Sequence, residues 1–292
     1  MKKVLLTGCS GQIGSRLSKC LIDHGFDVYG VSSRGNCPET IDSEKCIQLD
    51  LLTENIDLVM QEIRPNLLIH LAWDTRPTVF WESPENLRWS DSSHKLIESF
   101  NKCGGERIVV SGSCAEYGWD AGIPLKESDH ESPKSIYGSA KLDLLNSLRT
   151  QPTPFLWARI FFQFGSNENP GRLIPSMIDA LMAGHEFSVQ KPNDIRDFIY
   201  VDDVVQIMTA LILAEAEGVF NVGSGVGISV RDLATKIALI VNRPDLIHFQ
   251  ESTQEPSTVL ADISKLKRML GPIPGTFLDD AISRTIKERA KL

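Results

Sequence analysis

The 292-residue sequence has no excess of basic residues: 30 Lys and Arg stand against 38 Asp and Glu, a net charge of −8. Binding a nucleic-acid backbone or an anionic membrane surface needs clustered positive charge, so neither partner is expected. There is no apolar run of the ~20 residues that a membrane-spanning helix requires. Met1-Lys2-Lys3 leads into Val4-Leu5-Leu6, but Thr7-Gly8 cuts that run after three residues. The segment therefore reads as a buried first strand rather than a signal peptide. The six cysteines (Cys9, Cys20, Cys37, Cys46, Cys103 and Cys114) form no Cys-x-x-Cys pair and have no histidine at metal-ligand spacing. They are expected to be reduced thiols of a cytoplasmic protein, with neither a disulfide framework nor a metal. Internal repeats and low-complexity segments are also missing.

What is present is an alternation of short apolar runs with helical spacing. Residues 4–7, 28–31, 47–49, 67–71 and 108–111 read as strands, and 13–22 has its apolar positions on one helical face. Nearly continuous apolar strands separated by helices are the pattern of a parallel sheet covered on both faces. The fold class is therefore α/β, a doubly wound parallel Rossmann sheet. After about residue 165, Pro170, Pro175, Pro192 and several glycines break the pattern, with loops at 164–171 and 192–194 and helices at 204–214 and 230–241. The expected division is a dinucleotide-binding domain over 1–165 and a smaller α/β substrate lobe over 166–292. A later segment is expected to return to the sheet, and residues 155–162 form one more strand of it.

The first strand runs into Thr7-Gly8-Cys9-Ser10-Gly11-Gln12-Ile13-Gly14 and then a helix. Three glycines at this spacing allow a tight turn, close approach to a pyrophosphate and close helix–sheet packing. The helix N-terminus adds free N–H groups and a positive dipole end. Gly8, Ser10, Gly11, Gln12, Ile13 and Gly14 are thus expected to hold a nicotinamide dinucleotide. The second strand ends in Ser32-Ser33-Arg34, two hydroxyls and a guanidinium where an NAD-preferring site has an acid. Those groups suit a 2′-phosphate, so NADPH is expected over NADH. Asp50 and Leu51 after the third strand are placed at the adenine. Leu71 and Ala72 after the fourth line the cofactor crevice, and His70 reads as a satisfied core histidine.

The fifth strand ends Ser111-Gly112-Ser113, and Tyr137-Gly138-Ser139-Ala140-Lys141 follows on a helical stretch. Tyr and Lys at i and i+4 share one helix face. Hydride addition to a ketone builds an alkoxide that needs a proton, and hydride removal from an alcohol needs a base. Tyr137 is expected to serve, its phenol made more acidic by the Lys141 ammonium. Lys141 and Ser111 also belong to the cofactor site. Ser113 would orient the substrate oxygen and stabilise developing charge.

The sequence resembles an extended short-chain dehydrogenase/reductase of the nucleotide-sugar epimerase/dehydratase group. The resemblance rests on Thr7–Gly14, His70-Leu71-Ala72, Ser113-Cys114-Ala115-Glu116-Tyr117-Gly118, Tyr137 with Lys141, Arg196-Asp197-Phe198-Ile199-Tyr200-Val201-Asp202-Asp203, and Phe220-Asn221-Val222-Gly223-Ser224-Gly225. It implies a nucleoside-diphosphate sugar substrate and a homodimer formed through helices around 85–102 and 137–148. The 4,6-dehydratases of this group carry an Asp-Glu pair where this chain has Cys114 and Ala115, so dehydration is not expected. Glu116 is out of register for that role and is expected at the surface. The similarity points to an NADPH-dependent reductase of a nucleoside-diphosphate 4-keto-6-deoxyhexose, with Tyr137 protonating the C4 oxygen. A 4-epimerase with NAD and a non-catalytic dinucleotide sensor are the alternatives, and the nucleotide, sugar and stereochemistry stay open. Arg196 and Arg172 are implied diphosphate contacts, and Trp73, Trp81, Trp89, Arg76 and Cys114 fall at the sugar pocket or its rim. Phe162 replaces an expected Asn, and Gln254-Glu255-Pro256 replaces an expected Arg turn.

Overall fold

Consecutive branched apolar residues give the first strands two buried faces, and the computed structural model covers both with helices. It describes residues 1–77, 79–119, 124–251, 255–273 and 275–291. The chain begins β1 (Lys3–Thr7), α1 (Gln12–Asp23), β2 (Asp27–Ser32), β3 (Cys46–Gln48), α2 (Asp57–Ile63) and β4 (Leu67–His70). It continues through α3 (Glu85–Lys102), β5 (Arg107–Ser113), α4 (Ile136–Arg149), β6 (Phe155–Ile160) and β7 (Phe162–Phe164). Then follow α5 (Leu173–Met182), β8 (Phe187–Val189), β9 (Ile195–Tyr200), α6 (Val201–Leu213), β10 (Gly218–Val222), β11 (Gly227–Ser229) and α7 (Val230–Val241). The last elements are β12 (Ile247–Phe249), β13 (Thr258–Val259), α8 (Ser264–Leu270) and α9 (Leu278–Arg289).

Seven strands form one parallel sheet in the order β10-β6-β5-β4-β1-β2-β3. This is the Rossmann-type α/β fold expected. The order reverses between β1 and β4, where loops leave in opposite directions and open a crevice at the strand ends. Val4 and Leu6 of β1 pack with Leu17 and Leu21 of α1 and Met208 and Leu211 of α6. Leu5, between them, faces the other side, with Met60 of α2, Phe100 of α3 and Leu144 and Leu148 of α4. The late strand β10 pairs with β6 at the sheet edge.

The second half builds a small sheet in which β9 lies between β11 and β13 and also pairs with β7. Helices α5, α7 and α9 pack beneath it around Ile178, Leu181, Leu233, Ile237 and Ile282. The single strand expected over 155–162 is broken at Phe161. Gln163 N–H donates to Phe161 O at 2.7 Å, a tight turn that hands β7 from the large sheet to β9.

The cysteine expectation is overturned: Cys37 and Cys46 are disulfide-bonded, with Cα atoms 5.7 Å apart. Parallel pairing sets Cys46 against Gly30, and the loop after β2 folds Cys37 back over the same glycine. That coincidence depends on strand register, which residue spacing does not reveal. Cys9, Cys20, Cys103 and Cys114 are free. Among the described residues no helix is long and apolar enough to cross a membrane. The outward positions of α3 and α4 carry Arg88, Asp91, Lys95, Glu98, Ser139, Asp143 and Asn146, with Leu87 as the exposed apolar side chain.

Gly112, near the end of β5, has no room for a side chain, because a Cβ there would overlap the indole of Trp157 on β6. Gly112→Ala is expected to destabilise the fold by roughly 1–3 kcal/mol or more through overpacking, measured by urea denaturation.

Candidate active site

The strand ends of the large sheet border a cavity of about 1130 Å³, closed on the far side by the second half of the chain. Every residue expected at the cofactor lines it, from the Gly8–Gly14 loop through Ser32, Ser33, Arg34, Asp50, Leu51, Leu71, Ala72 and Ser111 to Tyr137 and Lys141. The loop can only be built from glycine where it matters. Gly8 has φ +71°, and a Cβ on it would lie 2.7 Å from Ala72 N. A Cβ on Gly14 would collide with Gly8 O, so α1 could not start so close to the turn. The N-cap of α1, Gly11, supplies no side-chain acceptor, which leaves first-turn amides free for an anion. This cradle fits a dinucleotide pyrophosphate. At the end of β2 the buried Ser32 hydroxyl donates to Asn36 Oδ1 at 2.6 Å, while Ser33 and Arg34 are exposed. Among the described residues Arg34 makes no ion pair.

At the other end lie Ser113, Tyr137 and Lys141. Ser113 closes β5, and its Oγ accepts Ala115 N–H at 3.2 Å as the cap of a short turn, Cys114–Glu116. Tyr137 sits in the first turn of α4, where Ser135 caps the helix by accepting Gly138 N–H at 3.1 Å. A Cβ on Gly138 would strike Ala115 O, so the glycine after Tyr137 lets α4 press against the Ser113 turn. The phenol is surrounded edge-on by Phe80, Trp81 and Trp73, with ring centroids 5.0, 5.7 and 6.2 Å away. Burial pushes its pKa up, and the Ser113 hydroxyl nearby opposes that. The expected acidified phenol is therefore not what the geometry produces. Lys141 is turned away, its Nζ donating to Ser111 O at 2.9 Å and lying 3.8 Å from the Trp73 ring centre. Burial brings Lys141 itself down to about 7, opposed by the charge of Glu116. His70 is hydrogen-bonded to Thr7 Oγ1 at 2.7 Å and Ser93 Oγ at 2.8 Å, and burial lowers it to about 3. It is a neutral core residue.

Glu116 is not at the surface, contrary to expectation, but wholly buried. Its carboxylate accepts Ser113 N–H at 2.6 Å, Trp157 Nε1–H at 3.1 Å and Arg159 Nε–H at 2.7 Å. Arg159, equally buried on β6, also bonds Glu131 at 2.6 Å and lies over the Tyr117 ring at 4.1 Å. Glu131 in turn binds Arg149 of α4. Sequence reasoning missed Arg159 and Glu131. The signal for the first was a lone guanidinium inside Phe-Leu-Trp-Ala-Arg-Ile, since a charge in a two-sided buried strand needs a partner. Burial and Glu116 push the Cys114 thiol up to about 12, so it does no acid–base work at neutral pH.

Of the expected substrate contacts, Trp73, Cys114, Arg172 and Arg196 line the cavity, as do Trp81 and Trp89. Arg172 donates to Thr75 O at 3.2 Å and stacks over Phe80 at 4.5 Å. Arg196 is buried against Asp194 at 2.6 Å and also donates to Ser257. Arg76 does not reach the cavity: it is exposed and held at the rim by Asp74 and Glu85. Its near neighbour in sequence, Asp74, captures it before it can turn inward. Phe162 lines the cavity against Phe198, and Gln254 lies outside the described residues. Glu168, not anticipated, also lines it, with Oε2 lacking a partner and burial raising its pKa to about 8.

The sequence model of the NAD dependent epimerase/dehydratase family matches residues 4–223. UDP-glucose 4-epimerase from Corynebacterium glutamicum is 25% identical, over 96% of this chain and 94% of its own. The structure of UDP-glucose 4-epimerase with UDP-glucose from Thermotoga maritima superposes with a TM-score of 0.86 at 24% identity, covering 99% of both chains. UDP-glucuronic acid 4-epimerase from Bacillus cereus, in complex with UDP-glucuronic acid and NAD, has a TM-score of 0.85 at 22% identity, again over 99% of each chain.

An unfolded lysine holds its proton to about 10.4, whereas buried Lys141 releases it near 7. Between those values the unfolded chain binds more protons, so this group makes stability rise with pH and costs most below pH 7. Lys141→Met is expected to be more stable than the parent at pH 6, by roughly 1.4 kcal/mol per unit of depression at most, and to lose that advantage by about pH 10. Urea denaturation at the two pH values checks it.

Proposed function

The chain belongs to the NAD-dependent epimerase/dehydratase family, and from that premise we propose that it is an NAD-dependent 4-epimerase of a nucleoside-diphosphate hexose. The observation that carries the reading is Ser113, Tyr137 and Lys141 meeting at one end of a dinucleotide-sized cavity, where Cys114 and Ala115 stand in place of an acid–base pair. Elimination of water needs such a pair, and Cys114 and Ala115 supply none. Inversion of a carbinol carbon needs only removal and return of hydride and one proton. The relatives named 4-epimerases, and the relative holding NAD and a UDP-sugar, support this over the reductase expected above.

The Gly8–Gly14 loop and the ends of β2 to β5 would hold a nicotinamide dinucleotide, which would supply the hydride acceptor and donor. Tyr137 would act in its phenolate form, with the positive charge of Lys141 and of an oxidised nicotinamide opposing the effect of burial. The phenolate takes the proton from the sugar hydroxyl as hydride leaves, and the phenol returns it to that oxygen as hydride comes back after the sugar has turned. The Ser113 hydroxyl steers that oxygen toward the phenol. Protonated Lys141 supplies positive charge beside the developing oxyanion, and titration near 7 lets a small change in surroundings decide its state. The aromatic wall of Phe80, Trp81 and Trp73 excludes water from the proton transfer. Arg172 makes no ion pair among the described residues and keeps donors for a diphosphate, while Arg196 reaches the same wall with part of its charge taken by Asp194. The division of labour, cofactor on 1–165 and nucleotide sugar on 166–292, is part of this proposal.

One observation favours a second reading, NADPH-dependent reduction of a 4-keto-6-deoxyhexose. Ser33 and Arg34 stand exposed and uncommitted at the adenosine end of the cavity, where a 2′-phosphate would lie. Incubation with UDP-glucose or UDP-N-acetylglucosamine and catalytic NAD, followed by proton NMR, is expected to yield the 4-epimer without net cofactor consumption. Stoichiometric NADPH loss on a 4-keto sugar, with no epimer formed, decides for the reductase. In Tyr137→Phe turnover is expected to fall by roughly 10²–10⁴-fold with dinucleotide affinity retained, measured by steady-state kinetics and calorimetry.

A further inference from the structure

We propose that Glu116 is a positioning residue for this site, holding Ser113 in place and setting a buried carboxylate at the same strand end that Lys141 grips. The part concerning turnover rests on the reading above. Glu116 lies outside the cavity wall, so it acts through others.

Two grips hold the end of β5. Lys141 Nζ donates to Ser111 O at 2.9 Å, and two residues on, Glu116 accepts Ser113 N–H at 2.6 Å. Between them Gly112 is bare, so the Trp157 indole can lie on the backbone and donate to the same carboxylate. With Arg159 Nε as the third partner, the carboxylate is fixed by three donors from two strands, Ser113 on β5 and Trp157 and Arg159 on β6, and the Ser113 peptide is fixed with it. If Glu116 served only to neutralise Arg159, Glu131 already supplies an anion to that guanidinium at 2.6 Å. The bond to Ser113 N–H is one half of the capping box that closes the Cys114–Glu116 turn, and it ties the buried ion pair to the place of the Ser113 hydroxyl.

Buried charge is felt across this end of the sheet, because little water screens it. On α4, Lys141 and Tyr137 both face Glu116. His70 on β4 also faces Lys141 but is neutral, so Glu116 is the charged group that acts on the lysine, and it favours the ammonium. Tyr137 also faces Arg172 and Cys114. Cys114 faces Asp197 and Arg196 on β9. Burial raises the Glu116 pKa, and the Arg159 guanidinium at 2.7 Å, with the Ser113 and Trp157 donors, opposes that and keeps the carboxyl ionised; Glu131 and Arg149 lie behind.

In Glu116→Gln both Lys141 and Tyr137 lose a negative neighbour, and each gives up its proton at lower pH. The whole pH–rate profile is expected to move toward acid by roughly one pH unit. The Lys141 signal, followed by ¹³C NMR of labelled lysine side chains and assigned by its loss in Lys141→Arg, should titrate lower by the same amount. Glu116→Asp keeps the charge but shortens its reach, and is expected to lower kcat while leaving the profile in place. If Glu116→Gln does not fold by circular dichroism, Glu116→Gln/Arg159→Met leaves neither charge orphaned and is read in its stead. A folded variant without the Glu116 charge whose Lys141 titrates as in the parent overturns the proposal, whatever its turnover. Should the parent turn over no nucleotide sugar, the functional reading fails, and the lysine titration still decides this one.

Discussion

A sheet whose seven strands all run the same way and whose two faces are both covered has only its edges left for chemistry. That constraint governs the rest of the molecule. Helices α1 and α6 close one face and α2, α3 and α4 the other, so the C-terminal ends of the strands are where polar groups can gather. Thr7, Ser32, His70 and Ser113 are each the last residue of a strand. The reversal of strand order between β1 and β4 parts the loops and makes the cavity at that edge.

Polar groups at such an edge are close to water without being in it, and the chain satisfies each in a different way. Arg159 and Glu116, with no exposure, neutralise one another and share further partners. Lys141 has no carboxylate in contact, so it uses a backbone carbonyl and the face of Trp73 and sits poised between its charged and neutral forms. His70 is kept neutral between two hydroxyls. Tyr137, boxed by aromatic rings, remains a protonated phenol. Desolvation outweighs the nearby lysine there, because that ammonium is aimed at Ser111 rather than at the phenol oxygen.

Several of these assignments were open to sequence reasoning because they are local. The glycines at 8, 11 and 14 answer backbone needs within one turn, and Tyr137 with Lys141 is fixed to one face by helical periodicity alone. Others were misread because the deciding partner is remote. Glu116 looked like a loop residue until β6 brought Arg159 and Trp157 to it from more than forty positions away. Arg76 looked free to reach a sugar, yet Asp74 claims it. Cys37 and Cys46 looked unrelated until strand register placed both over Gly30. The reductase expectation rested on Ser32, Ser33 and Arg34 at the end of β2 and on the likeness of the Ser113–Gly118 segment. The first three describe the adenosine end of the cofactor and carry no information about the sugar.

The sequence by itself determined the doubly wound sheet, the glycine loop after β1 and the shared helix face of Tyr137 and Lys141, since each follows from periodicity or from backbone demands inside a single βα unit. Only the tertiary structure decided which charges are buried, what they pair with and how they tune Tyr137 and Lys141. The physical reason is that desolvation and Coulomb interaction depend on distance in space. Neighbouring strands in a parallel sheet are joined by a crossover of a dozen residues or more, so residues in contact across it leave no periodic trace in the chain.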